Sequence, residues 1–276
     1  MREDERYLFD LNGYLVLHSV LSREELNALH DEVMNAGIDT ALSEHGYLHA
    51  GFPAHYYDSG PAGGSEYRYV AQSYLLDWGP ATRSLVAHPG VADYIAALVG
   101  AAYRLDHAYG VFSRGKTAPH ALHNGAVPFD PSQMYHCTGG EIFNSMIVVQ
   151  FALTDVRPGE GGFCCIPGSH KAAFPLPSDL PFLDELDGEW KSVVRHVPLR
   201  AGDVLIFTEA VAHGAMGWNG TGDRMALLYK YCHGAMQWER ESPFVTPGHH
   251  WTPRQARVMT GPYVGGRPPV DSPPED

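Results

Sequence analysis

Two histidines and an arginine carry residue types that could do chemistry together. His123 lies in PHALHNGAVPFD, His213 in GDVLIFTEAVAHGAMGW and Arg224 in TGDRMALLYKY. The histidines are 90 residues apart, and Arg224 follows His213 by 11. Neutral imidazoles hold divalent transition metals, and a centre with few protein ligands leaves positions open to small molecules. Arginine offers a carboxylate a planar, bidentate partner, which lysine does not. The set would therefore suit a metal centre with an anion clamped beside it. Taken singly, His123 reads as a hydrogen-bonded loop or core histidine and Arg224 as a surface ion-pair partner. Sixteen histidines in 276 residues justify looking for a metal site, although most must be structural or exposed.

Such a set needs elements that bring distant residues to one cavity. From residue 103 onward, short apolar runs alternate with Gly, Pro and Asn punctuation: YRLDHAYGVF, IFNSMIVVQFALTDV, GGFCCIPGS, SVVRHVPL, DVLIFT and RMALLYKYC. That pattern predicts an antiparallel sandwich or jelly roll. A histidine at one strand end and an arginine on the next strand can face the same interior. Upstream, residues 7–17 predict a short helix, a turn at Asn12-Gly13 and a strand. Ser22 and Glu25 form a capping box for a helix to about Ala36, with Leu26, Leu29 and Val33 as its apolar stripe. Residues 40–69 read as a loop region covering a site. Residues 81–99 read as one helix or two, ending at Gly100. After Gly234 the chain is rich in Pro, Gly and His and reads as irregular, disordered in its last residues. The expected fold class is α+β, mainly β, in one domain. Helices occupy about 1–100, the β core about 103–233 and the tail 234–276.

Composition narrows the function classes. A net charge of −13 argues against nucleic acid or an anionic membrane surface as partner. The charged N-terminus lacks a long apolar run, so neither a signal peptide nor a membrane span is expected, and the predicted location is cytoplasmic. The four cysteines form no CxxC pair. Adjacent Cys164 and Cys165 would point to opposite faces of a strand and are read as small buried thiols.

The sequence resembles the phytanoyl-CoA dioxygenase family over roughly residues 7–233. The opening FDLNGYLVLHSVLSREELNAL is similar to that family's entry segment. FALTDVRPGEGGFCCIPGSHK is similar to its core strand, turn and PGSHK-type segment. GDVLIF, then His213, then Arg224 matches its distal ligand and cosubstrate arginine. The resemblance implies a double-stranded β-helix (a jelly roll), iron(II), 2-oxoglutarate and dioxygen. It also implies release of succinate and carbon dioxide as a second substrate is oxidised. His123 and His213 become the metal ligands and Arg224 the partner of the far carboxylate. Gln150, polar within the strand VVQFAL, either contacts the cosubstrate or makes a core hydrogen bond.

The family's proximal motif is usually His-x-Asp, whereas this chain reads His123-Asn124-Gly125. Three readings follow. Asp130 swings in as the carboxylate ligand; or two histidines and water hold the metal; or the gap at Gly125 admits chloride, as in related halogenases. Oxidation, foremost hydroxylation of an unactivated carbon in a small metabolite or natural-product intermediate, is preferred. A halogenase is the alternative, and a non-catalytic jelly-roll binding protein or a cupin-type enzyme without 2-oxoglutarate are further ones. His136 is a rival proximal ligand. Asn144 is expected to share Gln150's cavity, Tyr135 and Trp218 either to line the pocket or to pack. Glu209 is read as an outer partner of an imidazole or, more plainly, as a solvated loop charge.

Overall fold

The computed structural model describes residues 1–51, 68–70, 73–178, 180 and 183–273. Local signals set its first elements. Helix α1 (Glu3–Asn12) stops at Gly13, whose φ of +80° few other residues tolerate, and the Gly13 N–H donates to Phe9 O at 2.7 Å. Strand β1 (Tyr14–Leu17) leaves from that turn. The Ser22 side chain accepts from Glu25 N, and the Glu25 carboxylate accepts from Ser22 N, opening α2 (Arg23–Asn35) as the sequence predicts. The loop expected from residue 40 begins instead with α3 (Ile38–His45) and β2 (Tyr47–Ala50). Gly37 and Gly46 bound that helix, and Ile38, Ala41 and Leu42 form its buried stripe. The part of that expectation falling on residues 52–67 lies outside the described residues.

The further strands are β3 (Arg68–Val70), β4 (Arg104–Ser113), β5 (His120–His123), β6 (Tyr135–Thr138) and β7 (Glu141–Asn144). They continue with β8 (Met146–Ala152), β9 (Gly162–Cys165), β10 (Arg195–His196), β11 (Val204–Thr208), β12 (His213–Met216) and β13 (Arg224–Cys232). The major sheet runs β1-β11-β8-β13-β4-β2-β3, the minor sheet β10-β9-β12-β5, and β6 pairs with β7 as a hairpin. All pairings are antiparallel except β2 with β3. This is the expected mainly-β jelly-roll architecture, with strands from the N-terminal third completing the major sheet.

Period-2 alternation sorts the major sheet's side chains. Ile147, Val149, Phe151, Leu227 and Tyr229 face the helices and pack with Leu29, Ile95 and Leu98. Val148, Leu205, Phe207, Ala226 and Leu228 face the other way, toward Phe163 and Cys165 of the minor sheet. Cys164 and Cys165 do point to opposite faces, and both are free thiols.

Three sequence expectations are corrected. The run IFNSMIVVQFALTDV is two strands broken at Ser145, so Asn144 loses parity with Gln150; its amide donates to Leu98 O on the helical side. SVVRHVPL contributes only the end of a short helix (Gly188–Val193) and the two residues of β10. The tail carries a helix, Pro253–Met259, opened by a Thr252–Gln255 capping box. Among the described residues no helix is long and apolar enough to cross a membrane.

Candidate metal and cosubstrate site

The two sequence-predicted histidines meet. His213 opens β12 and His123 closes β5, and they are registered partners across the minor sheet. Their ring centroids lie 4.3 Å apart. His213 Nδ1 stands 2.7 Å from Val211 O, and His123 Nδ1 3.1 Å from Ala121 O. A carbonyl only accepts, so each Nδ1 carries the proton and each Nε2 keeps a lone pair. That is the tautomer of a metal-binding imidazole oriented through its second nitrogen. Burial lowers the pKa of His213, keeping it neutral. His123 is the more open of the two and lines a cleft of about 500 Å³ with Ala121, Leu122, Val127 and Pro128.

Opposite them, β13 presents Arg224, Ala226, Leu228 and Lys230 to the interior, with the two apolar residues between two cations. Arg224 is 5% exposed, and its Nε has no hydrogen-bond partner. No described carboxylate pairs with it, and burial depresses its pKa, with the Tyr47 and Tyr109 side chains close enough to oppose that. Gly162 leaves the guanidinium room: a Cβ there would stand 3.1 Å from Arg224 Nε. A buried cation with an unused donor is the arrangement an incoming carboxylate satisfies.

Further groups on this interior escaped sequence reading. His120 lies 4.9 Å, centroid to centroid, from His123. His49 of β2 accepts from or donates to Tyr47 Oη at 2.7 Å and packs 5.5 Å from Tyr109. Burial pulls His120 down to about 4 and His49 to about 3, so both are neutral. Gln150 occupies the same face of β8 as Val148 and Ala152, and no described residue bonds its amide.

Glu209 is not a solvated loop charge. It is 2% exposed, its Oε1 is 2.7 Å from Lys230 Nζ, and Oε2 accepts from Asn124 Nδ2 at 3.0 Å. Burial alone would raise its pKa, but the Lys230 ammonium beside it holds it down to about 2. Asn124 adopts φ +64°, and its amide also donates to Glu209 O at 2.9 Å. This left-handed residue, directly after His123, turns the chain away, so Gly125 lines a separate small pocket with Phe129, Asp130, Tyr135 and His170.

Asp130 is not brought to the histidines. It is exposed, and its Oδ1 accepts from Ser132 N and Oγ, a local turn that satisfies the carboxylate where it stands. His136 is exposed on the β6–β7 hairpin. His170 is structural, its Nε2 donating to Asp10 O. Trp218 packs with its Nε1 on Gly222 O, Tyr135 bonds Asp10, and His249 pairs with Asp77 in the tail. Among the described residues no three His, Cys, Asp or Glu side chains are already gathered as a metal cluster.

No curated protein matches the chain. Solved structures do: HygX from Streptomyces hygroscopicus with nickel and 2-oxoglutarate bound aligns with TM-score 0.67 and 23% identity, over 89% of this chain and 96% of that one. The non-haem α-ketoglutarate-dependent carbocyclase SnoK from nogalamycin biosynthesis aligns with TM-score 0.56 and 23% identity, over 85% of each chain. The epimerase SnoN from the same biosynthesis aligns with TM-score 0.57 and 17% identity over 98% of each chain. At these identities the likeness establishes the jelly-roll fold. The phytanoyl-CoA dioxygenase (PhyH) family matches residues 9–226. The chain therefore belongs to the phytanoyl-CoA dioxygenase family and, with it, to the iron(II)/2-oxoglutarate-dependent enzymes.

Proposed function

We infer that this protein oxidises an unactivated carbon of a small metabolite or natural-product intermediate, with hydroxylation as the reaction. His123 and His213 would hold iron(II) through their Nε2 atoms, the donors their backbone bonds leave available. Bound iron would supply dioxygen activation coupled to decarboxylation of 2-oxoglutarate to succinate and carbon dioxide. Arg224 takes the cosubstrate's far carboxylate and sets its depth between the sheets. Gln150, on the same interior face, offers an amide to the cosubstrate. The apolar cleft beside His123 admits the second substrate, and the dry interior around Phe163, Phe207 and Leu228 excludes water from the reacting groups. The small-molecule class agrees with HygX, which has been solved with hygromycin B. Halogenation would need Gly125 to open a place beside the histidines, but Gly125 lines the other pocket.

The observation that carries this reading is the buried Arg224 guanidinium with its unpartnered Nε. The full chain, mixed anaerobically with iron(II) and 2-oxoglutarate, is expected to give a weak visible charge-transfer band. Arg224→Leu should require far more 2-oxoglutarate to reach it. A wild-type chain that binds iron(II) yet never develops the band would overturn the reading.

A further inference from the structure

We propose that the second substrate is an uncharged, largely apolar molecule lying along the open edge of β5, between that strand and residues 175–183. The proposal rests on the reading of His123 as a metal ligand and names the class of molecule such a site would take. Among the described residues β5 ends the minor sheet, so one of its edges has no neighbouring strand. Ala121, Leu122, His123 and Asn124 all line the cleft of about 500 Å³ beside it. Side chains alternate along a strand, so only a groove running along the edge meets successive residues of both faces. His123 is part of that wall, and a carbon bound in the groove lies beside the imidazole read as holding the metal.

The walls offer such a molecule carbon and no charge. Opposite β5 stand Pro175, Leu176, Pro177, Leu180 and Leu183. Leu183 is buried against Ile166 and Ala212, and Leu122 and Leu176, one from each wall, join the same cluster, so both walls are anchored by packing. Among the described residues lining the cleft, none carries a carboxylate, an ammonium or a guanidinium. Asn124 spends both N–H bonds of its amide on Glu209, one on O and one on Oε2, which leaves its carbonyl oxygen as an acceptor. Ser178 adds a hydroxyl. Glu209 itself is paired with Lys230, and the Arg224 cation is given to the cosubstrate. An ionised substrate group would lose its hydration in this cleft with no counter-charge in return. A hydroxyl or carbonyl would not, because one acceptor and one hydroxyl are enough to orient it. The volume is that of a pocket enclosing a single small molecule.

Three probes that share one ring and differ in charge test this class. They are 2-naphthylmethanol, which is neutral, 2-naphthylmethylamine, a cation, and 2-naphthoate, an anion. Each is added to the full chain with nickel(II) and saturating 2-oxoglutarate, so that Arg224 is occupied, and binding is read by equilibrium dialysis. The alcohol should bind at least about ten-fold more tightly than either ion, as expected where a charge is desolvated without a partner. Leu180→Asp, checked for folding by circular dichroism, puts a carboxylate on the wall. It should weaken the alcohol several-fold and make the amine the preferred probe, whereas Leu180→Met should keep the wild-type order. Added to the anaerobic chain with iron(II) and 2-oxoglutarate, the alcohol should shift the visible charge-transfer band, since it lies beside His123. A wild-type chain that binds iron(II) yet never forms that band overturns the reading of the site on which the proposal rests. A chain that forms the band but binds either ion as tightly as the alcohol, or binds none of the three, overturns the substrate class alone. An order of preference that Leu180→Asp leaves unchanged, or an alcohol that leaves the band unmoved, puts the probe elsewhere on the molecule and overturns it too.

Discussion

Two buried arginines sit at opposite ends of the same strand pair. Arg224 opens β13 opposite Ser113, and Arg104 opens β4 opposite Cys232. Both are at most 5% exposed. Their surroundings differ. Every nitrogen of Arg104 has a partner: Nε donates to Thr260 O, Nη1 to Met236 O and Nη2 to Ser242 Oγ, so three points of the C-terminal tail hang on one guanidinium. Arg267 adds to the clamp by donating to Ala102 O from the tail side. Arg224 keeps Nε without a partner. Burying a cation is costly, and the cost is offset in the first case by the protein's own carbonyls. In the second it is left for a ligand to offset. Burial alone therefore does not distinguish a structural arginine from a binding one; the state of its donors does.

Exchanging the two arginines for leucine should give opposite results. Arg104→Leu is expected to lose about 3–5 kcal/mol of stability, because three charge-assisted bonds that anchor the tail to the sheet are lost at once. Thermal unfolding should show a large drop in midpoint, with the tail cut early by protease, while 2-oxoglutarate binding by the folded fraction stays near wild type. Arg224→Leu should leave the midpoint unchanged or raised, since an uncompensated buried charge is removed. Its 2-oxoglutarate affinity should fall by about 100-fold, as expected when one partner of a buried charge pair is truncated. If Arg224→Leu unfolds the chain and Arg104→Leu weakens the cosubstrate, the contrast is wrong.

The same contrast marks what was legible in the sequence. Helix α1, the turn at Gly13 and the Ser22–Glu25 box were readable because their causes lie within a few residues. His213 and Arg224 were readable through strand order and spacing. Their distant counterparts were not. Glu209 reads as a loop charge because what keeps it ionised inside, Lys230, is on another strand. Lys230 had a usable signal: it shares strand parity with Arg224, so an inward arginine implied an inward lysine. His120, His49 and Tyr109 come from β5, β2 and β4, and no local pattern announces the pairing of those strands. Asn144 shows how one break defeats parity, since Ser145 separates it from the strand that carries Gln150.

The smallest expected effect tests how finely the Arg224 pocket is shaped. Gly162 has φ +86°, and a Cβ there would press on Arg224 Nε at 3.1 Å and on Val156 Cγ1 at 3.3 Å. Gly162→Ala therefore asks two things of the fold: a backbone angle disfavoured for alanine, and a guanidinium displaced by a few tenths of an ångström. The first should lower stability by about 1 kcal/mol. The second should weaken 2-oxoglutarate, because a bidentate pair depends on the position of both donors. We expect roughly a five-fold loss of cosubstrate affinity by calorimetry, with nickel(II) affinity unchanged, since Gly162 approaches Arg224 and not the histidine pair. A Gly162→Ala chain that loses metal and cosubstrate equally would place the strain in the minor sheet as a whole. An effect confined to the cosubstrate would identify the glycine as space kept for the arginine that binds it.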